Sequence, residues 1–158
     1  MMIKVGDPIP AATLQQMVDG KPSSIDSQAF FAGKKVVLFA VPGAFTPTCS
    51  AAHLPGFVVQ AEQFKAKGVD AIVCLSVNDV FVMAAWGEAQ NADAINLWAD
   101  GGATFTRALG LDMDTGDFGG IRSQRYAMVV DDGIVTHLAV EAPKTFEVSS
   151  AEAVLAVL

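Results

Sequence analysis

Between residues 36 and 61 the chain carries no Asp, Glu, Lys or Arg. A stretch of that length could cross a bilayer as a helix, which takes about 20 residues. Its contents exclude that. Pro42, Pro47 and Pro55 interrupt it, and Thr46, Thr48, Cys49, Ser50 and His53 occupy its middle. Prolines remove backbone donors, and hydrocarbon cannot satisfy the polar groups left exposed. An uncharged stretch with a polar centre fits a buried strand running into a partly buried site. The first part, 35–41 (KVVLFAV), is a continuous apolar run rich in β-branched residues. That pattern predicts a central strand covered on both faces.

The flanking patterns extend this into an architecture. Asp19-Gly20 lies between 12–18 and 21–25 and predicts an early hairpin. A short helix is expected over 27–32, closed by Gly33. After the turn at 42–48 a helix should begin near Cys49, with Thr46 or Thr48 as cap and Pro47 as a first-turn signal. Leu54, Phe57, Val58, Ala61 and Phe64 have helical spacing, Pro55 should kink the helix, and Gly68 should end it. Strands are expected at 70–77 and 94–99, and helices from Asn78 or Asp79 through Gln90 and over 103–109. Asp131-Asp132-Gly133 marks a second hairpin, between 126–130 and 134–140. Ser149-Ser150-Ala151-Glu152 offers a capping box for a last helix. Alternating strands and helices followed by a hairpin predict an α/β thioredoxin-like fold, a central mixed β-sheet flanked by helices with an N-terminal β-hairpin.

With 158 residues, 52% hydrophobic and 17% charged, the expectation is one globular domain over 1–158. A net charge of −7 without a basic stripe argues against nucleic acid, which needs cations to neutralise its phosphates. Two cysteines are too few for a disulfide scaffold, so free thiols in a reducing, cytoplasmic setting are expected. The first residues lack a basic region followed by an apolar run, so no targeting segment and no membrane partner is expected; an organellar location after removal of a transit peptide remains compatible.

Cys49 stands where a strand, a tight turn and a helix meet. Exposed N–H groups at a helix N-terminus carry positive partial charge, and that field favours thiolate, the nucleophilic form. Pro42 and Pro47 would stiffen the turn. Burial as a small hydrophobe is the competing reading, and placement alone does not separate the two.

The local sequence does. PGAFTPTCS at 42–50 resembles the peroxiredoxin signature Pro-x-x-x-Thr-x-x-Cys, and its longer form is similar to the peroxiredoxin-five, or plant type II, subfamily. The resemblance continues through His53-Leu54-Pro55-Gly56-Phe57, Cys74 to Asp79, Trp86-Gly87 and Arg125 to Val130. It implies a thioredoxin-like fold and a thiol-dependent peroxidase acting on hydrogen peroxide and alkyl hydroperoxides, with no cofactor and no metal. It also implies a peroxidatic Cys49, a motif completed by Thr46 and Pro42, Arg125 as the distant arginine, and a homodimer with loops around Phe45, Phe81 and Trp86 at its interface. Atypical relatives resolve the oxidised cysteine with a second one near the C-terminus, but residues 141–158 contain none. A one-cysteine mechanism follows, with glutathione, glutaredoxin or thioredoxin as reductant.

Other residues have competing readings. Arg122 could assist the site or be an ordinary solvated arginine. His53, four residues after Cys49, could form a Cys/His hydrolase dyad or half a metal site. Ordering the helix or nearby backbone is the favoured role. Cys74, within AIVCLSV, reads as an inert buried thiol. Phe45 and Phe118 are candidates for a pocket mouth. A disulfide oxidoreductase is disfavoured because Ser50-Ala51-Ala52 follows Cys49, leaving no Cys-x-x-Cys.

Overall fold

In the computed structural model, which describes residues 1–158, the chain opens with β1 (Thr13–Val18) and β2 (Lys21–Asp26). Asp19 and Gly20 join them at φ 51° and 78°, the left-handed geometry that a two-residue hairpin turn demands. Asp26 then caps α1 (Ser27–Phe31) by accepting from the Gln28 N–H at 3.0 Å. β3 (Lys35–Ala40) leads to a π-helical turn, Cys49–His53, which continues as α2 (Leu54–Ala66). β4 (Ala71–Ser76), α3 (Val80–Ala89), β5 (Asn96–Ala99) and α4 (Thr104–Leu109) follow. The chain then forms β6 (Asp112–Asp114), β7 (Ile121–Ser123), β8 (Tyr126–Asp131), β9 (Ile134–Val140) and α5 (Ala151–Leu155).

Seven strands make one sheet in the order β2-β1-β5-β4-β3-β8-β9. β3, β4 and β5 run parallel through helical crossovers, whereas β8 joins β3 antiparallel and β1 joins β5 antiparallel. This is the mixed, helix-flanked sheet with an N-terminal hairpin that the sequence predicts. β3 is buried on both faces because its side chains alternate between two cores. Val37 and Phe39 enter the core under α2, α3 and α5; Val36, Leu38 and Ala40 enter the other, with Phe31, Trp98 and Phe105.

Packing on the first face fixes α2 over the sheet. Phe39 stacks on Phe57 with centroids 4.0 Å apart and planes 8° from parallel, and Phe57 on Phe64 at 5.3 Å. Fully burying such a side chain stabilises by about 1.5–3 kcal/mol. The start of the helix, where Cys49 lies, is thereby held at the C-terminal end of β3.

Two local expectations are corrected. The last helix is capped by Ser150, whose Oγ accepts from the Ala153 N–H at 3.1 Å. The 149–152 capping box does not form, because Ser149 is committed to Glu141. The small β6–β7 sheet was not expected; its strands have three residues each, too short for a period to register. No helix is long and apolar enough to cross a membrane.

Candidate active site

The turn after β3 is held from the neighbouring strand end. The Ala44 N–H donates to Asn78 Oδ1 at 3.0 Å, and the Ser76 hydroxyl lies 2.7 Å from the same oxygen. Within the turn the Thr46 hydroxyl donates to the Gly43 carbonyl at 2.6 Å. Neither threonine caps the helix with its side chain, contrary to expectation. Thr48 is already helical (φ −66°, ψ −37°), and Thr46 instead offers its carbonyl, which accepts the Ser50 N–H at 2.9 Å. Because its own proton points to Gly43, the Thr46 hydroxyl keeps lone pairs free.

The first turns are π-helical, with the Leu54 N–H donating five residues back to the Cys49 carbonyl. Pro55 accounts for this. It cannot donate to a preceding carbonyl, and its ring would crowd the carbonyl four residues earlier, so the backbone widens there. The kink expected from Pro55 is thus accommodated as a π turn that begins at Cys49.

Topology brings Arg125 to this point. Tyr126 is the register partner of Ala40, so the residue before β8 meets the chain just beyond β3. Arg125 Nη2 donates to Cys49 Sγ at 3.1 Å. Its Nη1 donates to His53 Nδ1 at 2.8 Å. Since His53 Nε2 lies 2.9 Å from the Ser149 carbonyl, Nε2 carries the ring proton and Nδ1 accepts. Burial pushes the His53 pKa down to about 3, helped by the Arg125 charge. The ring is neutral, with both nitrogens engaged, so it is neither a base for Cys49 nor a metal ligand in this arrangement. It orders nearby groups, as the favoured reading held.

Cys49 has no exposed surface. Beside it lies a groove of about 790 Å³ lined in part by Pro42, Thr48, Phe118, Arg125 and Phe146. Phe118 reaches this groove; Phe45 is exposed but does not line it. Trp86, read either as core or as part of an interface loop, is fully buried and donates from Nε1 to Ser50 Oγ at 2.9 Å, bracing the Cys49 turn against α3. Arg122 donates to the carbonyls of Gly119 (2.9 Å) and Val77 (3.1 Å), tying the β6–β7 hairpin down instead of joining Cys49.

Cys74 sits in mid-β4, opposite Phe39 and Leu97. It is fully buried, and burial pushes its thiol well above the usual range, with Cys49 adding to the effect. Glu141 escaped sequence reasoning, and Asn78 and Ser149 were read only as helix-start residues, not as part of this site. They lie in loops, where no period marks which side chains reach across to the turn.

A thioredoxin-like sheet that presents a buried cysteine at a helix start, hydrogen-bonded to an arginine, defines the chain as a thiol-based redox protein. Residues 4–155 match the Redoxin family. The chain is 51% identical to rice "Peroxiredoxin-2E-2, chloroplastic", covering 99% of this chain and 72% of that one. It is 48% identical to Arabidopsis thaliana "Peroxiredoxin-2B", covering 99% and 98%. The structure of reduced Prx3 from Vibrio vulnificus in complex with hydrogen peroxide superposes with a TM-score of 0.97 at 63% identity, covering 99% of each chain. Peroxiredoxin 5 from Alvinella pompejana gives 0.85 at 38% identity, covering 98% and 96%. The chain belongs to the redoxin family and, within it, to the peroxiredoxins, which are thiol peroxidases.

Proposed function

We propose that Cys49 is the peroxidatic cysteine of a one-cysteine peroxidase that reduces hydrogen peroxide and alkyl hydroperoxides at the expense of an external thiol. The observation that carries this is the 3.1 Å contact from Arg125 Nη2 to Cys49 Sγ at the first turn of the helix. A guanidinium is always charged and favours thiolate over thiol. The thiolate attacks the terminal peroxide oxygen, an S–O bond forms and the O–O bond breaks. The Thr46 hydroxyl, with its own proton on Gly43, accepts the peroxide proton as a hydrogen bond and orients the substrate. That proton ends on the departing oxygen, which leaves as water or alcohol. Arg125 stabilises the charge that develops there, and Pro42 shields the sulfur from solvent.

The product is a Cys49 sulfenate, which takes a proton from solvent to become the sulfenic acid. One external thiol displaces its oxygen as water and forms a mixed disulfide; a second regenerates Cys49 and leaves as an external disulfide. Glutathione, glutaredoxin or thioredoxin fits this role. An internal resolving thiol is disfavoured because Cys74 is held inside a parallel ladder, and a disulfide needs Cα atoms within about 7 Å and converging Cβ directions. Such chemistry suits a reducing compartment, with the cytoplasm the first choice. Hydrogen peroxide should drive oxidation of glutathione, with or without glutaredoxin, or of thioredoxin in the presence of the protein; no acceleration over the uncatalysed reaction with any of them would refute the peroxidase reading.

The active-site face also suits a homodimer. Phe45 and Phe81 are 56% and 64% exposed, and the Ala44–Asn78 bond places the Phe45 turn beside the start of α3, where Phe81 lies. Sedimentation at several concentrations should show the dimer; a monomer throughout would contradict it.

A further inference from the structure

Glu141 lies just beyond β9, and its side chain anchors the loop that follows. Its Oε2 accepts from the Glu147 N–H (2.8 Å), the Ser149 N–H (2.8 Å) and the Ser149 hydroxyl (2.7 Å). Oε1 accepts from the Thr145 hydroxyl at 3.1 Å. Its own N–H donates to the Arg125 carbonyl at 2.9 Å. From Ser149 the connection runs through the carbonyl to His53 Nε2–H, through His53 Nδ1 to Arg125 Nη1, and through Nη2 to Cys49 Sγ. The circuit closes on itself, because Glu141 holds Arg125 by the backbone at one end and by this relay at the other.

We propose that Glu141 is a positioning residue for the peroxide reaction: its carboxylate fixes the Ser149 carbonyl, which selects the Nε2–H tautomer of His53 and so aims Arg125 at Cys49. The inference rests on the reading of Cys49 as the reacting thiol. Its physical logic is that Arg125 is oriented without being neutralised. The only ion pairs within 4.0 Å are Lys4–Asp7 and Lys65–Glu62, so no carboxylate sits directly on the guanidinium. A carboxylate there would cancel part of the field felt by the thiolate. A neutral imidazole accepts the hydrogen bond and leaves the charge intact. Burial opposes ionisation of Glu141, yet the hydrogen bonds from Ser149, Glu147 and Thr145 together hold its carboxyl below the usual range, so the acceptor is present as carboxylate.

The direct charge effect and the positioning effect have opposite signs, which makes the role testable. By charge alone, removing Glu141 eases formation of the thiolate. By positioning, Glu141→Ala releases His53 and Arg125 and disfavours it. In the full chain we expect Glu141→Ala to lower the stopped-flow rate constant for hydrogen peroxide roughly ten- to hundredfold. Its thiol-alkylation profile should move to higher pH, and Glu141→Gln, which keeps one acceptor oxygen, should fall between. Long-range ¹⁵N–¹H spectra of the imidazoles should show His53 as the neutral Nε2–H form in the wild type and a tautomer mixture in Glu141→Ala. An alkylation profile that stays in place or moves to lower pH would overturn the proposal. So would a wild-type His53 that is cationic or Nδ1–H at neutral pH, a measurement that needs no variant. If the Cys49 reading were at fault instead, the tautomer and alkylation changes would persist while the peroxide rate stayed constant.

Discussion

Cys49 and Cys74 are the same residue under the same degree of burial: both are fully inaccessible and both belong to one hydrophobic cluster. They differ in what surrounds the sulfur. Cys74 is in the middle of a parallel ladder, flanked by Phe39 and Leu97, and no hydrogen-bond donor addresses it. Cys49 stands at the start of a helix and receives an N–H from Arg125. Only one of the two sites brings a charged donor to its sulfur. On the proposed reading, the reactivity of Cys49 comes from its donor, which in turn comes from topology: the β3–β8 register delivers Arg125 to Cys49, and no donor bonds Cys74 in mid-β4.

The largest effect should come from testing the two thiols against each other. Cys49→Ser is expected to abolish peroxide-dependent thiol oxidation, and Cys74→Ser to retain most of it. Rapid turnover by Cys49→Ser would erase the distinction. The next step removes only what distinguishes the sites. Arg125→Ala should slow the reaction with hydrogen peroxide by roughly 10²–10³, the range seen when an electrostatic donor is lost. It should also shift alkylation of Cys49 to higher pH; an unchanged profile and rate would mean that the guanidinium does not act on the sulfur.

The smallest effect concerns stability. His53 titrates at about 3 when folded against 6.5 for the free group, so the unfolded chain binds the proton more readily. The stability this confers is complete above pH 6.5 and is lost as pH falls towards 3, a change on the order of a few kcal/mol over the full window. The sign at Cys74 is opposite. Its folded value is raised above 9.0, so its contribution is present below that pH and lost as pH rises. Thermal denaturation should show wild-type stability declining between pH 6.5 and about 5, and His53→Gln should flatten that slope. Parallel slopes would show that His53 is not buried neutral.

Much of this contrast is legible in the sequence. The uncharged stretch from 36 to 61, the turn residues and the PGAFTPTC run place Cys49 at a strand–turn–helix junction, and the family resemblance singles out Arg125, which only the strand order shows to lie beside it. Thr46 and Pro42 fall within the motif. The parts that were not legible depend on contacts made across the chain. His53 and Ser149 are 96 positions apart, and no local pattern announces that a loop will fold back to orient an imidazole. The π turn depends on how the whole helix relieves Pro55, and the shift of the last cap to Ser150 depends on Glu141 having claimed Ser149. Trp86 illustrates the same point: its apolar ring fits a surface or a core, and only the partner Ser50 decides.

The most direct test of the central claim is intact-mass analysis with peptide mapping after one equivalent of hydrogen peroxide, without added thiol. The account predicts a gain of one oxygen on Cys49, trappable by a sulfenic-acid reagent, with Cys74 unmodified. A loss of two hydrogens mapped to a Cys49–Cys74 bond, formed at the turnover rate, would make Cys74 the resolving residue and contradict the one-cysteine account.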